Sequence, residues 1–170
     1  MRHLRRRILT WALLPTVLAG AACGVKKPSA PTVLFSGSSS TAPGFYRKVA
    51  GPIRRGVIIA LRIPAPGRAY AAAHMPERLH TSLLKPVVAT GGSIACVRQG
   101  HLIVNWRRLG PIFERDGRGR RLPHWRGCLR LAAGEVLLYS DRIPNSFDSR
   151  YFGPAQAADV LGVYAPLWIF

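Results

Sequence analysis

The sequence predicts a mostly β domain that follows a single hydrophobic N-terminal segment. Six apolar or alternating runs of 5–8 residues occur after residue 55, and glycine or proline lies near most of them. Runs of this length with such boundaries are typical of β-strands and too short for most helices. One uncharged stretch of 18 residues lies near the N-terminus. The apolar fraction of 48% is sufficient for a folded domain with its own core.

The predicted strands lie in the second two thirds of the chain. They are the runs 56–63, 83–89, 94–98, 102–106, 134–140 and 160–167. Gln-Gly-His at 99–101 separates two of these runs, which predicts a hairpin turn. The alanine-rich residues 70–75 predict a short helix or a lid, and the glycine-containing residues 116–120 predict an exposed loop.

The N-terminal segment has the features of an export sequence. Four arginines within the first seven residues precede the uncharged stretch 8–25, and Lys26 and Lys27 follow it. A stretch of this length is close to the roughly 20 residues that span a bilayer as a helix. Because more positive charge precedes the stretch than follows it, we expect the N-terminus in the cytoplasm and the remaining chain across the membrane.

Three interpretations of this segment remain. An uncleaved membrane anchor is favoured. A cleaved signal peptide is the second, because Ala19, Ala21 and Ala22 are small residues of the kind found near cleavage sites. The third is a lipoprotein signal ending at Cys23, which Gly20 disfavours because leucine is usual at that position. All three interpretations export the rest of the chain.

The chain therefore divides into three parts. Residues 1–26 are the predicted cytoplasmic tail and the membrane anchor or signal. Residues 27–34, rich in proline, serine and threonine, are the predicted linker. Residues 35–170 are the predicted domain outside the cytoplasm.

The net charge of +18 allows several partners. A basic protein can bind nucleic acid or lie against an anionic membrane, and arginine-rich composition can also reflect the genome's base composition. Export makes chromosomal DNA a poor partner, so we expect no nucleic acid.

The cysteines form no CxxC and the histidines have no metal-ligand spacing, so we predict no metal and no cofactor. Cys96 and Cys128 can pair in an oxidising compartment, a question that the sequence leaves open.

Lys85 is the first residue whose setting suggests catalysis. It lies inside the otherwise apolar run 83–89, and no lysine follows Lys48 except Lys85 itself. A serine hydroxyl needs a base to become nucleophilic, and burial among apolar side chains lowers the pKa of a lysine toward that use. The alternative is an edge-strand lysine that prevents aggregation, with which the adjacent Pro86 is compatible.

Two polar segments accompany this lysine. Residues 38–47 have the sequence S-S-S-T-A-P-G-F-Y-R, and taken alone they predict a linker. Residues 145–153 have the sequence N-S-F-D-S-R-Y-F-G, and taken alone they predict a surface turn. In order, these segments and the lysine strand resemble the boxes of the type I signal peptidase superfamily, in particular those of the TraF-type peptidases of conjugative transfer systems. Smaller matches at 125–136 and 165–168 support that branch.

The resemblance implies a signal-peptidase-like antiparallel β-sheet or barrel domain with one N-terminal transmembrane helix. Aligning the first box on its glycine, tyrosine and arginine implies Ser40 as the nucleophile, and aligning it on Pro43 implies Thr41. The first register keeps more positions, and it also implies that the hydroxyl of Ser38 helps to bind the oxyanion. Lys85 would be the general base.

The resemblance also implies roles for the last box. Ser146 would hydrogen-bond and orient the lysine amine, Asp148 and Arg150 would form an ion pair that shapes the site, and Gly153 would permit close packing. The implied activity is a serine endopeptidase that removes a leader or tail from an exported precursor, a pilin-type subunit of a conjugation or type IV secretion system. Some relatives then join the new ends into a cyclic pilin.

Further expectations concern location and alternatives. The resemblance implies a single-pass protein of the inner membrane with its catalytic domain in the periplasm and with small residues before the scissile bond. A general type I signal peptidase is an alternative. So is a divergent inactive copy that acts as a basic envelope binding protein, because Pro43 is displaced and because Val57 and residues 91–93 depart from the usual Gly-Asp patterns.

Overall fold

Antiparallel β-strands make up most of the structure. The computed structural model describes residues 30–80 and 82–170. The strands are β1 (Val33–Ser36), β2 (Gly44–Val49), β3 (Ile58–Arg62), β4 (Ser82–Thr90), β5 (Ile94–Arg98), β6 (His101–Val104), β7 (Arg107–Pro111), β8 (Gly127–Arg130), β9 (Glu135–Leu138), β10 (Ala155–Gln156) and β11 (Val160–Ile169). The α-helices within the described ranges are α1 (Ala65–His74) and α2 (Ser149–Phe152).

The strands form two sheets. The large sheet has seven strands in the order β1-β2-β11-β3-β4-β9-β10, and the small sheet has four in the order β7-β6-β5-β8. Every pairing is antiparallel. The prediction of a mostly β, antiparallel fold is therefore confirmed.

The core of the large sheet follows from alternation along its central strands. In β4 every second residue is buried, as expected for a strand with one face against a core. Its buried residues Leu83 and Val87 pack with Ile59 and Leu61 of β3 and with Phe147. This alternation also turns Lys85 toward the buried side of β4.

The N-terminal segment predicted as an anchor or signal lies outside the described residues, as do residues 27–29 of the predicted linker. Within residues 30–80 and 82–170, no helix combines the length and the apolar character needed to cross a bilayer. Strand β1 begins at Val33, so the last two residues of the predicted linker 27–34 belong to the large sheet.

Each of the six predicted runs contains a strand, although the bounds differ. The run 94–98 coincides with β5, and the predicted hairpin at 99–101 joins β5 to β6 through Gln99 and Gly100. The predicted run 102–106 extends past the end of its strand, because β6 ends at Val104 and the next two residues form the turn to β7.

Besides β1 and the two-residue β10, three strands lie outside the predicted runs, because their composition is mixed. In β2, Gly44 and Tyr46 face inward while Phe45 and Arg47 face solvent, so an aromatic residue stands on the exposed side. Strands β7 and β8 are short and carry exposed arginines.

The predicted helix at 70–75 is longer than expected, because α1 begins at Ala65, where the adjacent Pro66 favours a first helical turn.

A disulfide joins two strands of the small sheet. Cys96 of β5 and Cys128 of β8 are direct partners in the antiparallel register, and their Cα atoms lie 4.0 Å apart. The pairing that the sequence left open is therefore present. It closes a loop over a sequence separation of 32 residues and ties β8 to the rest of the small sheet.

Candidate active site

Strand β4 presents the lysine to the interior. Lys85 shares a face with the core residues Leu83 and Val87, and it pairs with Ile59 of the neighbouring strand β3. Only 4% of its surface is exposed. Burial lowers the pKa of Lys85 from 10.5 to about 8, and the nearby carboxylate of Asp148 opposes this shift while the guanidinium of Arg150 adds to it. A pKa of about 8 leaves a minor but appreciable fraction of this amine neutral at pH 7.

The loop between β1 and β2 brings hydroxyl groups to this lysine. Nζ of Lys85 donates a hydrogen bond to Oγ of Ser40, a residue that is itself buried. Oγ of Ser38 lies 2.8 Å from Oγ of Ser40 and accepts a bond of 3.3 Å from the backbone N–H of Ser40. The structure thus brings together the predicted base, the predicted nucleophile and the predicted oxyanion group.

Thr41, the alternative nucleophile, has a different partner. Its Oγ1 donates a 2.7 Å hydrogen bond to the backbone carbonyl of Leu84, next to Lys85 on β4. The displaced Pro43 is accommodated at the end of the loop, where its carbonyl accepts a bond of 3.1 Å from the N–H of Phe170. Gly44 follows at a close crossing, since a Cβ there would lie 2.1 Å from the carbonyl oxygen of Trp168.

A buried ion pair lies on the other side of the lysine. Nε and Nη2 of Arg150 each donate a 2.9 Å hydrogen bond to one carboxylate oxygen of Asp148, and neither side chain is exposed. The remaining donors of Arg150 bind the carbonyls of Pro144 at 2.7 Å, Ser146 at 3.0 Å and Pro111 at 3.2 Å. Burial opposes the charge of Arg150, but Asp148 outweighs burial and raises the pKa of Arg150.

Ser140, which the sequence did not single out, connects this ion pair to the loop between β1 and β2. The hydroxyl of Ser140 donates to the carbonyl of Ser40, and the N–H of Ser140 donates to Oδ2 of Asp148 at 3.1 Å. Its only signal in the sequence was its place at the end of the apolar run 134–140. Arg142, also missed, donates from Nε to the carbonyl of Ser39 at 3.3 Å.

Two predicted details are wrong in this geometry. Ser146 does not hydrogen-bond Lys85: among residues 30–80 and 82–170 its buried Oγ has no hydrogen-bond partner, because its backbone is fixed by Ile143 and Arg150 while the lysine amine is directed to Ser40. Gly153 ends α2 with φ of 77°, and a Cβ there would meet the ring of Trp125 only at an ordinary 3.6 Å. Glycine suits this position for its backbone conformation, not for close packing.

The arrangement has the parts of a nucleophilic catalyst. A hydroxyl contacts an amine whose pKa is lowered by burial, and a second hydroxyl with a backbone N–H lies beside it. In the part of the chain that the structure describes, no group of three or more histidine, cysteine, aspartate or glutamate residues is placed to hold a metal ion.

The chain resembles known proteins in sequence. A family model for "Signal peptidase, peptidase S26" matches residues 4–168. Two proteins of Escherichia coli, both described as "Plasmid transfer protein TraF", are 29% identical to the chain over 140 and 141 residues, which is 76% of the chain and 79% of each relative. The crystal structure of a signal peptidase I from Enterococcus faecalis is 22% identical, with a TM-score of 0.40, and the match covers 68% of the chain and 98% of that protein.

Proposed function

Since the chain belongs to the signal peptidase S26 family, we propose that it is a serine endopeptidase in which Ser40 is the nucleophile and Lys85 the general base. Family membership and the similarity to TraF support a processing peptidase. The observation that carries the finer assignment is the hydrogen bond between Lys85 Nζ and Ser40 Oγ in a buried setting.

The proposed reaction uses these groups in sequence. When Lys85 is neutral, the hydroxyl of Ser40 donates its proton to the lone pair of Nζ and Oγ attacks the scissile carbonyl. The backbone N–H of Ser40 and the hydroxyl of Ser38 then stabilise the oxyanion. Lys85 returns the proton to the leaving amine, and a water, activated by the same lysine, hydrolyses the acyl-enzyme.

The environment of Thr41 supports Ser40 as the nucleophile. The hydroxyl proton of Thr41 is committed to the carbonyl of Leu84, and this bond fixes the loop against β4. A threonine in this position therefore aligns the loop that carries Ser40.

The proposed substrate is an exported precursor, and more specifically a pilin-type subunit. The two relatives named plasmid transfer protein TraF support a role in conjugative transfer. The proposed location is the inner membrane, with residues 1–26 as the anchor and the described domain in the periplasm. Small residues are expected before the scissile bond.

The test is cleavage of a pilin precursor by the full chain in detergent. The parent and the Thr41→Val variant should cleave, with Thr41→Val slower, whereas Ser40→Ala and Lys85→Ala should be inactive. Mass spectrometry of the parent should detect an acyl group on Ser40. Activity of Ser40→Ala together with an inactive Thr41→Val would assign the nucleophile to Thr41. Equal cleavage of unrelated signal peptides would favour a general signal peptidase.

A further inference from the structure

A cleft with a volume of about 530 Å³ lies between the two sheets, beside the catalytic groups. Pro86, which directly follows Lys85, lines one side together with Tyr139 and Asp141, which flank Ser140. The turn from β6 to β7 lines the other side. Val87, which lies two residues after Lys85 on the same face of β4, also lines the cleft, so the cleft lies close to the groups proposed to carry out the reaction.

The cleft is strongly basic. Arg55, from the segment before β3, and Arg107 and Arg108, from β7, all line it and are all exposed, while Asp141 is the one acidic residue in its lining. Among the described residues none of these three arginines is in a salt bridge. Arg108 lies against another basic side chain, with Nη2 at 2.6 Å from Nε2 of His101. A recess lined by one sign of charge concentrates ligands of the opposite sign.

The turn that precedes two of these arginines is held in place. Asn105 and Trp106 have φ of 45° and 67°, a conformation that fixes the direction of a tight hairpin. Oδ1 of Asn105 accepts a 2.8 Å hydrogen bond from the backbone N–H of Ile94, and the N–H of Asn105 donates a 2.9 Å hydrogen bond to the carbonyl of Ile94. Trp106 is 85% exposed. Tryptophan and arginine on a rigid tip are the residue types that dominate protein-binding surfaces.

We propose that this cleft binds a carboxylate-bearing segment of the substrate peptide close to the scissile bond, with Arg55, Arg107 and Arg108 as its ligands. The proposal rests on the proposed peptidase function and names a feature of its substrate. Guanidinium groups match carboxylates through paired, charge-assisted hydrogen bonds. The carboxylate can be an acidic side chain or the C-terminus of the precursor, since both present the same group.

The test measures peptide binding to the full-chain Ser40→Ala variant in detergent. The probes are fluorescent alanine-rich peptides with one glutamate, their glutamine counterparts, and both with a free or an amidated C-terminus. We expect the carboxylate to tighten binding by about 10-fold at low salt, less at high salt. If the glutamate peptides bind more tightly than their glutamine counterparts, the bound carboxylate is that of a side chain. If the peptides with a free C-terminus bind more tightly than the amidated ones, it is that of the chain end.

Two double variants test whether the arginines of the cleft cause the carboxylate preference. Arg107→Ala with Arg108→Ala should abolish the preference. Arg98→Ala with Arg118→Ala removes the same charge from exposed positions outside the cleft and should leave the preference intact. Equal losses in the two double variants, or equal binding of all the peptides, would overturn the proposal. The proposal would also be overturned if the peptides showed no preference and the Arg107→Ala, Arg108→Ala variant selectively lost binding to phosphatidylglycerol vesicles. That result would assign the cleft to lipid headgroups.

Cleavage by the parent chain separates this proposal from the proposed function. A carboxylate preference in binding without cleavage of any precursor supports the cleft and contradicts the peptidase. Cleavage that is indifferent to the carboxylate and to the cleft variants supports the peptidase and overturns the cleft.

Discussion

Lys85 and the Asp148–Arg150 pair are both buried charged groups of one site, but burial has opposite consequences for them. Lys85 lies between apolar neighbours on β4, and its pKa falls to about 8. Arg150 is fully buried as well, yet the facing carboxylate of Asp148 raises its pKa. Burial without a hydrogen-bonded anionic partner favours a neutral amine, whereas burial with such a partner keeps both charges.

The difference separates a reactive group from a structural one. A lysine that gives up its proton near neutral pH can act as a base, and a guanidinium that stays charged cannot. Arg150 instead binds the carbonyls of Pro111, Pro144 and Ser146, so it holds several loop segments around the site. Ser140 joins the two regions, since it contacts both Asp148 and the loop between β1 and β2.

The largest effect is expected from Lys85→Met, which removes the amine and keeps an apolar side chain. The value of kcat should fall by at least about 10²–10⁴-fold, because the general base is lost. For the parent, kcat should rise with pH as Lys85 loses its proton through about pH 8. A parent profile that is flat between pH 6 and 9 would contradict the role of Lys85 as base.

Lys85→Met should raise the free energy of unfolding, although it lowers kcat. The pKa of Lys85 is lower in the folded state than in the unfolded state, so the unfolded chain binds more protons between pH 8 and 10.5. The parent's stability should therefore rise with pH across that window, and below pH 8 it should carry the full penalty of about 3 kcal/mol. Urea denaturation should find Lys85→Met more stable at pH 7 and without this pH dependence.

The next effect is expected from Arg150→Met, which leaves the carboxylate of Asp148 buried without its partner. Breaking a buried pair in this way should cost about 3–5 kcal/mol in the free energy of unfolding. The double variant with Asp148→Asn should recover part of that loss, because no unpaired charge remains. The control Arg118→Met, at an exposed position, should have little effect. Equal losses in the single and double variants would show that the ion pair does not determine this stability.

The smallest effect is expected from Ser140→Ala, which cuts the link between the two regions. Stability should fall by about 1 kcal/mol, the usual net value of one hydrogen bond. The value of kcat should fall by about 10-fold with KM nearly unchanged, because misplacement of the Ser40 backbone affects the reacting atom more than substrate binding. Ser140→Thr keeps the hydroxyl and should retain more activity. A change confined to stability would make Ser140 purely structural.

Local patterns in the sequence were sufficient for much of the fold. Strand β5 coincides with the predicted run 94–98, because its apolar residues are bounded by turn residues on both sides. Strand β2 was missed, since Phe45 is exposed and Arg47 stands beside it, and no local rule explains an exposed aromatic residue. The helix α1 was underestimated for a similar reason, since glycine and proline in its first turn obscure its start.

The sequence itself favoured Lys85 as a buried amine, because it lies inside an otherwise apolar run, but only its register on β4 decided that it faces the interior. The boxes around Ser40 and Asp148 were equally visible in the chain. Only the tertiary structure decided which partners these residues have: Thr41 bonds to Leu84, Ser146 lacks its predicted partner, and Ser140 supports Ser40 across a separation of 100 residues. Such contacts depend on loops folding against distant strands, and no local pattern encodes the distance between two atoms that far apart in the chain.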